Sequence, residues 1–396
     1  MNKPTLFLCI PDHPFPARKN GISIRYQPII EYASTLFDVH MLVVSDHEIS
    51  TSDIAEAQKL CKKVSLYIRK PAHTNIGKKI FNRIKSFVPG NTPFPFLCYD
   101  EDYISNFIKQ ETRNIKYDVA LCVLATYQHL VQKNVKANRF TLDLIDSPYA
   151  TACRKQSGSI ITSIDNWLIK IWERKALKSA DYACYVSPLD LKIGAGKNID
   201  HNKVGVIPNG LYVNDFLNET LDYGCQTIGY LGHMGYAPNI RAALRLYRIF
   251  KEIQPQANNS KLVIIGRDPA QAIKDLALDP AVIVTGTVDN IWPYVKGITV
   301  FAFPMEIGSG QQNKLLEAMG AGIPVVSSSL GNSGIGAKHA HELLEANNDN
   351  DIGNAILSLL KSEKEANRLA VNAKQFINQN YAWPAIYKSL KNTLLN

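Results

Sequence analysis

Long apolar runs are missing from this 396-residue sequence: no stretch reaches the 18 residues that a membrane-spanning helix needs. The amino-terminal segment MNKPTLFLCIP holds one lysine and a short apolar stretch that Pro11 interrupts. A secretory signal would need a longer apolar region and a small-residue cleavage site. We therefore expect this stretch to be a first buried strand.

Cysteine is scarce, and its spacing shows no pairing. The seven cysteines include no CxxC pair, which argues against both a disulfide framework and a zinc site. Most of them lie in apolar segments such as ALCVL and ADYACYV, where cysteine behaves as a small core residue. This pattern predicts a chain that works in the reducing cytoplasm.

Positive charge is in excess, with a formal net charge of +9 and a pI near 9.0. Three kinds of partner fit such a charge: nucleic acid, an anionic membrane face and a phosphorylated substrate. A nucleic-acid reader usually carries a basic stripe with interleaved aromatic residues or a known module. The sequence has neither, so we expect no nucleic-acid partner.

Short apolar runs alternate with helical patterns along the whole chain, as in parallel sheets covered by helices. This predicts an α/β fold. The predicted strands of the first half are Leu6–Ile10, Asp38–Val44, Lys63–Tyr67, Val119–Val123, Phe140–Leu144 and Tyr182–Val186. Those of the second half are Gln226–Leu231, Lys261–Ile265, Val282–Val284, Ile298–Phe303 and Pro324–Val326. The predicted helices include Ile24–Thr35, Trp167–Ser179, Ile240–Ile253 and Asn313–Met319.

The strand and helix pattern restarts near residue 225, which predicts two domains for a chain of this length. The segment VIPNGLYVNDF precedes the restart and is interpreted as the linking loop. We expect a first Rossmann-like domain at 1–205 and a second at 206–378. The tail, 379–396, is an amphipathic pattern that predicts a helix packing on the first domain.

The segment FAFPMEIGSGQQNKLLEAMGAGIPVVSSS, residues 301–329, carries the strongest chemical signal. It predicts a strand, a glycine-rich turn (Gly308, Ser309, Gly310) and then a helix. Backbone N–H groups and the helix dipole favour a diphosphate at such a helix start. Lys314 adds a positive charge there, and the carboxylate of Glu317, one turn later, can accept two ribose hydroxyls.

The order GxGxxNKLLEAMxxGxPVV resembles the donor-binding motif of glycosyltransferase family 4, a family of retaining enzymes with the GT-B fold. Other segments agree in order: the loop after GYLG through Pro238, the run VIIGR, the run TGTV and the inter-domain PNG loop. The resemblance implies two Rossmann-like domains facing a cleft, with a carboxy-terminal helix crossing back to the first domain. It implies a nucleotide-diphosphate sugar (UDP-, GDP- or ADP-linked) as donor and no other cofactor. Gly232 and Val288 fall at donor-binding positions of the motif.

One position departs from the family pattern. The family commonly places a glutamate eight residues before the one matched by Glu317, and this sequence has Ser309 there. Glu306 lies three residues earlier and cannot simply replace it. The GxGxxNK variant resembles a subgroup of capsule and exopolysaccharide transferases. The substitution puts contacts to the donor sugar in doubt and leaves diphosphate and ribose binding intact.

Candidate catalytic and phosphate-binding residues flank this motif. His233 lies in the loop GHMGYAPN, where a side chain can approach the reacting centre. Arg267 follows a predicted strand, and its guanidinium can meet two phosphate oxygens beside Lys314. Asp146 ends a strand of the first domain. His13 and His129 are further titratable candidates, and for each a purely structural role stays open.

The loop PDHPFPARKNGISIRYQPI follows the first strand, the position where α/β sheets bind ligands. It resembles the family's proline-rich loop. By that resemblance Asn20 and Gly21 face the donor phosphates and Arg25 opens the following helix. A merely solvated loop remains the alternative.

Residues 75–90, NIGKKIFNRIKSFVPG, form a basic amphipathic pattern. The apolar residues are Ile76, Ile80, Ile84 and Phe87, widened by Phe81 and Val88, and the basic ones are Lys78, Lys79, Arg83 and Lys85. Two interpretations stay open: a helix that docks on an anionic membrane holding a lipid-linked acceptor, or a helix packed on its own domain.

The resulting expectation is a retaining sugar transfer to a glycan or lipid-linked acceptor in surface polysaccharide biosynthesis. Positive side chains would stabilise the leaving diphosphate. Since no DxD-type carboxylate pair lies in a loop expected to face the cleft, we expect no metal requirement. Two alternatives remain: a GT-B nucleotide-sugar epimerase, and a binding paralogue without catalysis.

Overall fold

The computed structural model describes residues 3–16, 21–69, 76–98, 100–154, 160–200, 202–212, 221–257, 259–308 and 310–395. These residues form two compact units. The first comprises Met1–Asn209 together with Tyr387–Asn396, and the second comprises Gly210–Ile386. The predicted domain limits at 205 and 378 stay predictions.

The first unit is built on a seven-stranded parallel sheet of order β3-β2-β1-β4-β5-β6-β7. Its strands are β1 (Thr5–Ile10), β2 (Asp38–Ser45), β3 (Lys63–Ile68), β4 (Lys116–Val123), β5 (Lys136–Ile145), β6 (Tyr182–Tyr185) and β7 (Val204–Val206). Strands such as TLFLCI are apolar on both faces because helices cover both sides of the sheet. The core between sheet and helices contains Phe7, Leu42, Leu142 and Trp172.

Eight α-helices connect the strands of the first unit among the described residues. They are α1 (Gly21–Leu36), α2 (Thr51–Leu60), α3 (Ile76–Lys85), α4 (Glu101–Glu111), α5 (Gln128–Asn134), α6 (Pro148–Arg154), α7 (Ile160–Ser179) and α8 (Pro188–Ala195). Serine side chains fix two helix starts: Ser50 accepts from the Asp53 amide at α2, and Ser187 accepts from the Asp190 amide at α8.

The second unit is a six-stranded parallel sheet of order β10-β9-β8-β11-β12-β13. Its strands are β8 (Thr227–Leu231), β9 (Lys261–Ile265), β10 (Val282–Val284), β11 (Val300–Phe303), β12 (Val325–Ser327) and β13 (Leu344–Glu345). Its helices are α9 (Ala237–Ile253), α10 (Gln271–Lys274), α11 (Trp292–Lys296), α12 (Asn313–Gly320), α13 (Ser329–Asn332), α14 (Asp349–Lys361), α15 (Glu363–Asn380) and the start of α16 (Trp383–Leu395). The strand order reverses between β8 and β11, as in doubly wound dinucleotide-binding sheets.

The predicted strands all occur, and the differences concern short or terminal elements. Two short strands, β7 and β13, were missed because three and two residues carry too little periodicity. The long helix of the first half starts at Ile160 rather than Trp167, and the last helix starts at Trp383. The prediction that Arg25 opens a helix is wrong: α1 starts at Gly21, and Arg25 is a buried residue inside it.

Among the described residues, none of the helices is both long enough and apolar enough to cross a membrane.

Candidate functional site

The glycine-rich loops of the second unit meet at the point where its strand order reverses. Gly232 follows β8 directly, and Gly308 and Gly310 lie between the neighbouring strand β11 and helix α12. Ligands of open α/β sheets bind outside the carboxyl ends of the strands at such a switch point. The fold therefore places the predicted diphosphate loop where the sheet has its natural binding crevice.

Two glycines bring the loops after β8 and β9 into direct backbone contact. The Gly232 amide donates to the Ile265 carbonyl at 3.0 Å. Gly266 has φ +153°, and a Cβ on it would lie 1.7 Å from the Gly232 carbonyl oxygen. Only glycine fits this approach, so VIIGR carries its glycine for packing between the two loops.

Lys314 lies in the first turn of α12, and its ammonium points at the start of α9. Its Nζ donates to Asn239 Oδ1 at 2.5 Å and to the Tyr230 hydroxyl at 3.2 Å. Burial lowers the pKa of Lys314 to about 8, and the Glu317 carboxylate opposes that effect. A cation held by neutral partners in a partly desolvated position is suited to binding an anion.

His233 and Arg267 stand at the rim of the same loops. His233 Nε2 lies 3.2 Å from an Asp268 carboxylate oxygen, and Arg267 Nε lies 3.8 Å from the same oxygen. The Met234 amide donates to the Arg267 carbonyl at 2.9 Å, which ties the two loops together. Both side chains are about half exposed, so they can turn toward a ligand.

The other predicted donor-binding residues of the second unit are Gly310, Glu317 and Val288. Gly310 has φ +66°, and its carbonyl lies so near Gly334 that a Cβ there would clash at 2.2 Å. Glu317 lies one turn beyond Lys314 on α12. Val288 is half-buried in the loop after β10, next to Thr287, whose hydroxyl accepts from the Asp268 amide at 3.3 Å.

Three candidate positions need separate mention. Asn20 and Ser309 lie outside the described residues. Glu306 faces two arginines of α9, at 3.7 Å from Arg241 and 3.9 Å from Arg245. Glu306 thus forms ion pairs with α9, and the expectation that it does not replace the missing motif glutamate stays a prediction.

Asp146 follows β5 at the carboxyl edge of the first sheet. The preceding residue, Ile145, has φ +62°, a left-handed conformation that is costly for a β-branched residue. Burial raises the pKa of Asp146 to about 6, and the nearby Asp190 carboxylate contributes in the same direction. Asp146 is thus a half-buried carboxylate close to its protonation point at neutral pH.

A buried ion pair beside Asp146 was missed from the sequence. Arg25 donates through Nε and Nη2 to one Asp143 oxygen at 2.9 and 2.7 Å, and the Tyr26 hydroxyl donates to that oxygen at 2.5 Å. Arg25 also donates to Asn209 Oδ1 at 3.1 Å. One feature of the sequence could have predicted this pair: Asp143 lies inside the strand pattern TLDLID, and a charge buried in a strand requires a partner of opposite charge.

The two candidate histidines of the first unit, His13 and His129, have different surroundings. His13 is buried, its Nδ1 lies 3.0 Å from the Phe15 carbonyl, and its Nε2 has no hydrogen-bond partner among the described residues. His129 forms an ion pair with Glu101, on helix α4. Gly21 begins α1, where a Cβ would meet nothing within 4 Å.

No group of three His, Cys, Asp or Glu side chains that could hold a metal ion occurs in the described ranges.

Comparisons with known proteins agree with this architecture. Residues 225–362 match the family model described as glycosyl transferases group 1. A Klebsiella pneumoniae protein described as an uncharacterized 44.6 kDa protein in the cps region is 21% identical over 398 residues, covering 96% of this chain and 97% of that protein.

Three solved structures are similar over nearly the full length. Anabaena HepE in complex with UDP-glucose is 13% identical with a TM-score of 0.66, covering 98% of each chain. Sucrose-phosphate synthase from Thermosynechococcus elongatus is 15% identical with a TM-score of 0.68, again covering 98% of each chain. The lipopolysaccharide outer core galactosyltransferase WaaB is 14% identical with a TM-score of 0.64, covering 98% of this chain and 99% of that one. The chain therefore has the GT-B fold, and residues 225–362 carry a glycosyl transferases group 1 domain.

Proposed function

We propose that this protein is a retaining glycosyltransferase that moves a sugar from a nucleotide-diphosphate sugar to a glycan or lipid-linked acceptor in surface polysaccharide biosynthesis. The observation that carries the proposal is the Lys314 ammonium beside the glycine loops at the switch point of the second sheet. The group 1 domain match covers the same loops.

The proposed role of the donor site is to stabilise the negative charge that develops on the leaving diphosphate. As the bond between sugar and diphosphate breaks, negative charge develops on the leaving diphosphate. A cation and backbone N–H groups already fixed at that position stabilise the transition state without reorganisation. Lys314 supplies the cation, and Gly308 and Gly310 permit close backbone approach. Arg267 and His233 lie within reach as further positive or hydrogen-bonding groups.

Two carboxylates, those of Glu317 and Asp146, have proposed roles in binding and catalysis. Glu317 accepts the ribose hydroxyls, one helical turn from the lysine that holds the phosphates. Asp146, with its raised pKa, is the candidate catalytic carboxylate of the first unit. Retention of the anomeric configuration rests on the resemblance to family 4, and the absence of a metal requirement rests on the lack of a DxD-type carboxylate pair in the sequence; both stay predictions.

The proposal for the pathway rests on two relatives. The Klebsiella pneumoniae relative lies in a cps region, and WaaB acts on the lipopolysaccharide outer core. HepE was crystallised with UDP-glucose, which makes a UDP-sugar the first donor to test.

A donor screen tests the proposed activity. The purified chain is incubated with UDP-, GDP- and ADP-sugars, with and without a polysaccharide or lipid-linked acceptor extract, and nucleotide release is measured. Release that requires acceptor supports the transferase. A chemically altered sugar in the nucleotide-sugar pool would identify an epimerase instead, and nucleotide binding without turnover would identify a binding paralogue.

We further propose that α3 brings the protein to the cytoplasmic face of an anionic membrane. Five large apolar side chains in and after this helix are between 44% and 63% exposed: Ile80, Phe81, Ile84, Phe87 and Val88. This exposure argues against the alternative that the helix packs its apolar face on its own domain. Arg83 stands 3.5 Å from the centre of the Phe94 ring, within the same patch.

The positive charge on and near α3 favours binding to an anionic surface. Residues 76–98 contain four lysines and arginines and no acidic residue. Each basic residue near an anionic membrane contributes about 1 kcal/mol to binding. Exposed apolar side chains among basic ones are the pattern of an interfacial helix.

Vesicle flotation tests the membrane contact. We expect the chain to bind vesicles that contain phosphatidylglycerol and not to bind pure phosphatidylcholine vesicles. We expect Ile84→Glu to reduce binding to the phosphatidylglycerol vesicles at least about tenfold. Leu278→Glu is the matched control, since Leu278 is an exposed leucine of the second unit. Equal binding of both variants and the wild type would contradict the docking role of α3.

A further inference from the structure

A cavity of about 330 Å³ lies in the first unit between α3, α4, α5 and α7. It shares no residue with the donor loops or with the Asp143 and Asp146 group. Its size is at the lower end of the range for small-molecule sites, which suits one ring-sized ligand. Ala125 and Gln128 line it just beyond the carboxyl end of β4, a strand at the switch point of the first sheet.

Two glutamine amides are fixed along one wall. Gln128 Nε2 donates to the Ala176 carbonyl and to the Ser179 hydroxyl, both at 2.7 Å. Gln132 Nε2 donates to the Ser179 carbonyl at 2.7 Å. Because both amides direct their nitrogen atoms to α7, their carbonyl oxygens are the atoms that can accept from a ligand.

Charged groups complete the lining. Glu101 pairs with His129 across the cavity wall, and the hydrogen bond from His129 lowers the pKa of Glu101. Lys175 Nζ donates to the Gly90 carbonyl at 3.0 Å, which leaves it further N–H donors. A carboxylate, amide oxygens and an ammonium together present both acceptors and donors to one small volume.

Part of the lining is apolar. Trp172 stacks on Phe96 with ring centres 4.9 Å apart, and Leu97 and Ala176 lie beside it. A sugar ring carries hydroxyl groups that both donate and accept and has C–H faces that pack on apolar walls. A free phosphate would use the ammonium but would be repelled by the Glu101 carboxylate.

From this combination we infer that the cavity is a saccharide subsite that holds one sugar ring of the acceptor. The inference rests on the proposed glycosyl transfer for the identity of the sugar-bearing molecule, and it deepens that proposal by naming where the acceptor is recognised. The contacts would come from Glu101, Gln128, Gln132 and Lys175, with Trp172 against a face of the ring.

Saturation-transfer NMR on the full chain tests this inference. The probes are glucose, galactose and N-acetylglucosamine, each measured alone and again with UDP. We expect at least one sugar to give a signal that survives UDP and falls at least about fivefold in Thr92→Trp, which places a large side chain at the cavity lining. Gln132→Leu should reduce the same signal. Thr51→Trp, on the exposed start of α2, is the matched control.

The outcomes separate this inference from the proposed function. No sugar signal, or a signal lost in Lys314→Ala but kept in Thr92→Trp and Gln132→Leu, would overturn the subsite. A signal sensitive to Thr92→Trp in a chain that binds no nucleotide would support the subsite and remove the transferase proposal. Thermal unfolding shows whether each variant is folded. If one of the two cavity variants fails to fold, the sugar signal of the other one tests the subsite.

Discussion

Lys314 and Asn239 join the two helices that begin beside the donor loops: the ammonium of Lys314, on α12, donates to Asn239 Oδ1, on α9, at 2.5 Å. The amide nitrogen of Asn239 donates in turn to the His233 carbonyl at 3.0 Å. Asn239 therefore positions the cation and the histidine loop together. Since it is neutral, it leaves the charge of the lysine available to a phosphate.

Replacing this neutral partner by a charged one tests the arrangement. In Asn239→Asp a carboxylate would neutralise Lys314 and repel the diphosphate, so we expect nucleoside-diphosphate affinity to fall about tenfold, or 1.4 kcal/mol. Isothermal titration with the nucleotide that binds the wild type measures this. Asn367→Asp, at an exposed position of α15, is the control and should leave affinity unchanged.

Lys314 and Glu317 of α12 are proposed to bind different parts of the nucleotide, so substitutions at the two positions should reduce different affinities. Lys314→Met should weaken UDP at least about tenfold and leave uridine binding unchanged, because the lysine is proposed to bind only the phosphates. Glu317→Gln should weaken UDP and uridine by similar factors, because it removes the charge that is proposed to bind the ribose. If neither substitution changed either affinity, the donor site would lie elsewhere. The same design applies to GDP or ADP if one of them is the preferred nucleotide.

The lowered pKa of Lys314 predicts a pH dependence of nucleotide binding. Below about pH 8 the ammonium is charged and binding is strongest; above that value the free protein loses the proton. The dissociation constant of the nucleotide should then rise by up to about tenfold for each pH unit.

Arginine at the same position is the control for this pH effect. Lys314→Arg keeps its charge through this range, so its dissociation constant should stay flat from pH 7 to 10 even if its absolute value is weaker. A wild-type profile that is equally flat would contradict the role of the lysine ammonium.

Close contact between Gly266 and Gly232 predicts a stability effect. Gly266→Ala would place a methyl group 1.7 Å from the Gly232 carbonyl oxygen. We expect it to lower the free energy of unfolding by about 2–3 kcal/mol and to abolish nucleotide binding. Gly286→Ala is the control: it has φ +67° but no atom within 4 Å, so backbone strain alone should cost about 1 kcal/mol. Urea denaturation of both variants provides the comparison.

The buried Arg25 and Asp143 pair predicts a second stability effect. Asp143→Asn removes the carboxylate that accepts two hydrogen bonds from the buried Arg25 side chain, so it should cost about 3–5 kcal/mol. Glu56→Gln breaks the exposed pair with Lys59 and should cost less than about 1 kcal/mol. Equal effects of the two substitutions would show that burial does not set the strength of the first pair.

The sequence was sufficient to predict the α/β fold and the places of the glycine-rich loops after strands β8 and β11. Apolar runs such as KLVII and VFAF mark buried parallel strands, and glycines followed by NKLLEAM mark a helix start. Gly232 could be placed because it directly follows a predicted strand, and Lys314 because it lies in the first turn of a predicted helix.

Partners across the chain could not be predicted in the same way. Asn239, Asp143 and Glu101 derive their roles from residues 75, 118 and 28 positions away, respectively. Periodicity describes which face of an element is buried but not which side chain lies opposite. The cavity beside His129 was missed for the same reason, since four separate helices form it.

The first unit is built from two segments that are far apart in the sequence. Tyr387, at the start of the segment that belongs to this unit, stacks on Tyr32 with ring centres 4.3 Å apart and planes 5° from parallel. During synthesis the ribosome makes the whole second unit before it releases this segment. The first 209 residues are therefore incompletely packed at Tyr32 until residue 387 has been synthesised, and a truncation before Tyr387 would remove a packing contact from the half of the protein that was made first.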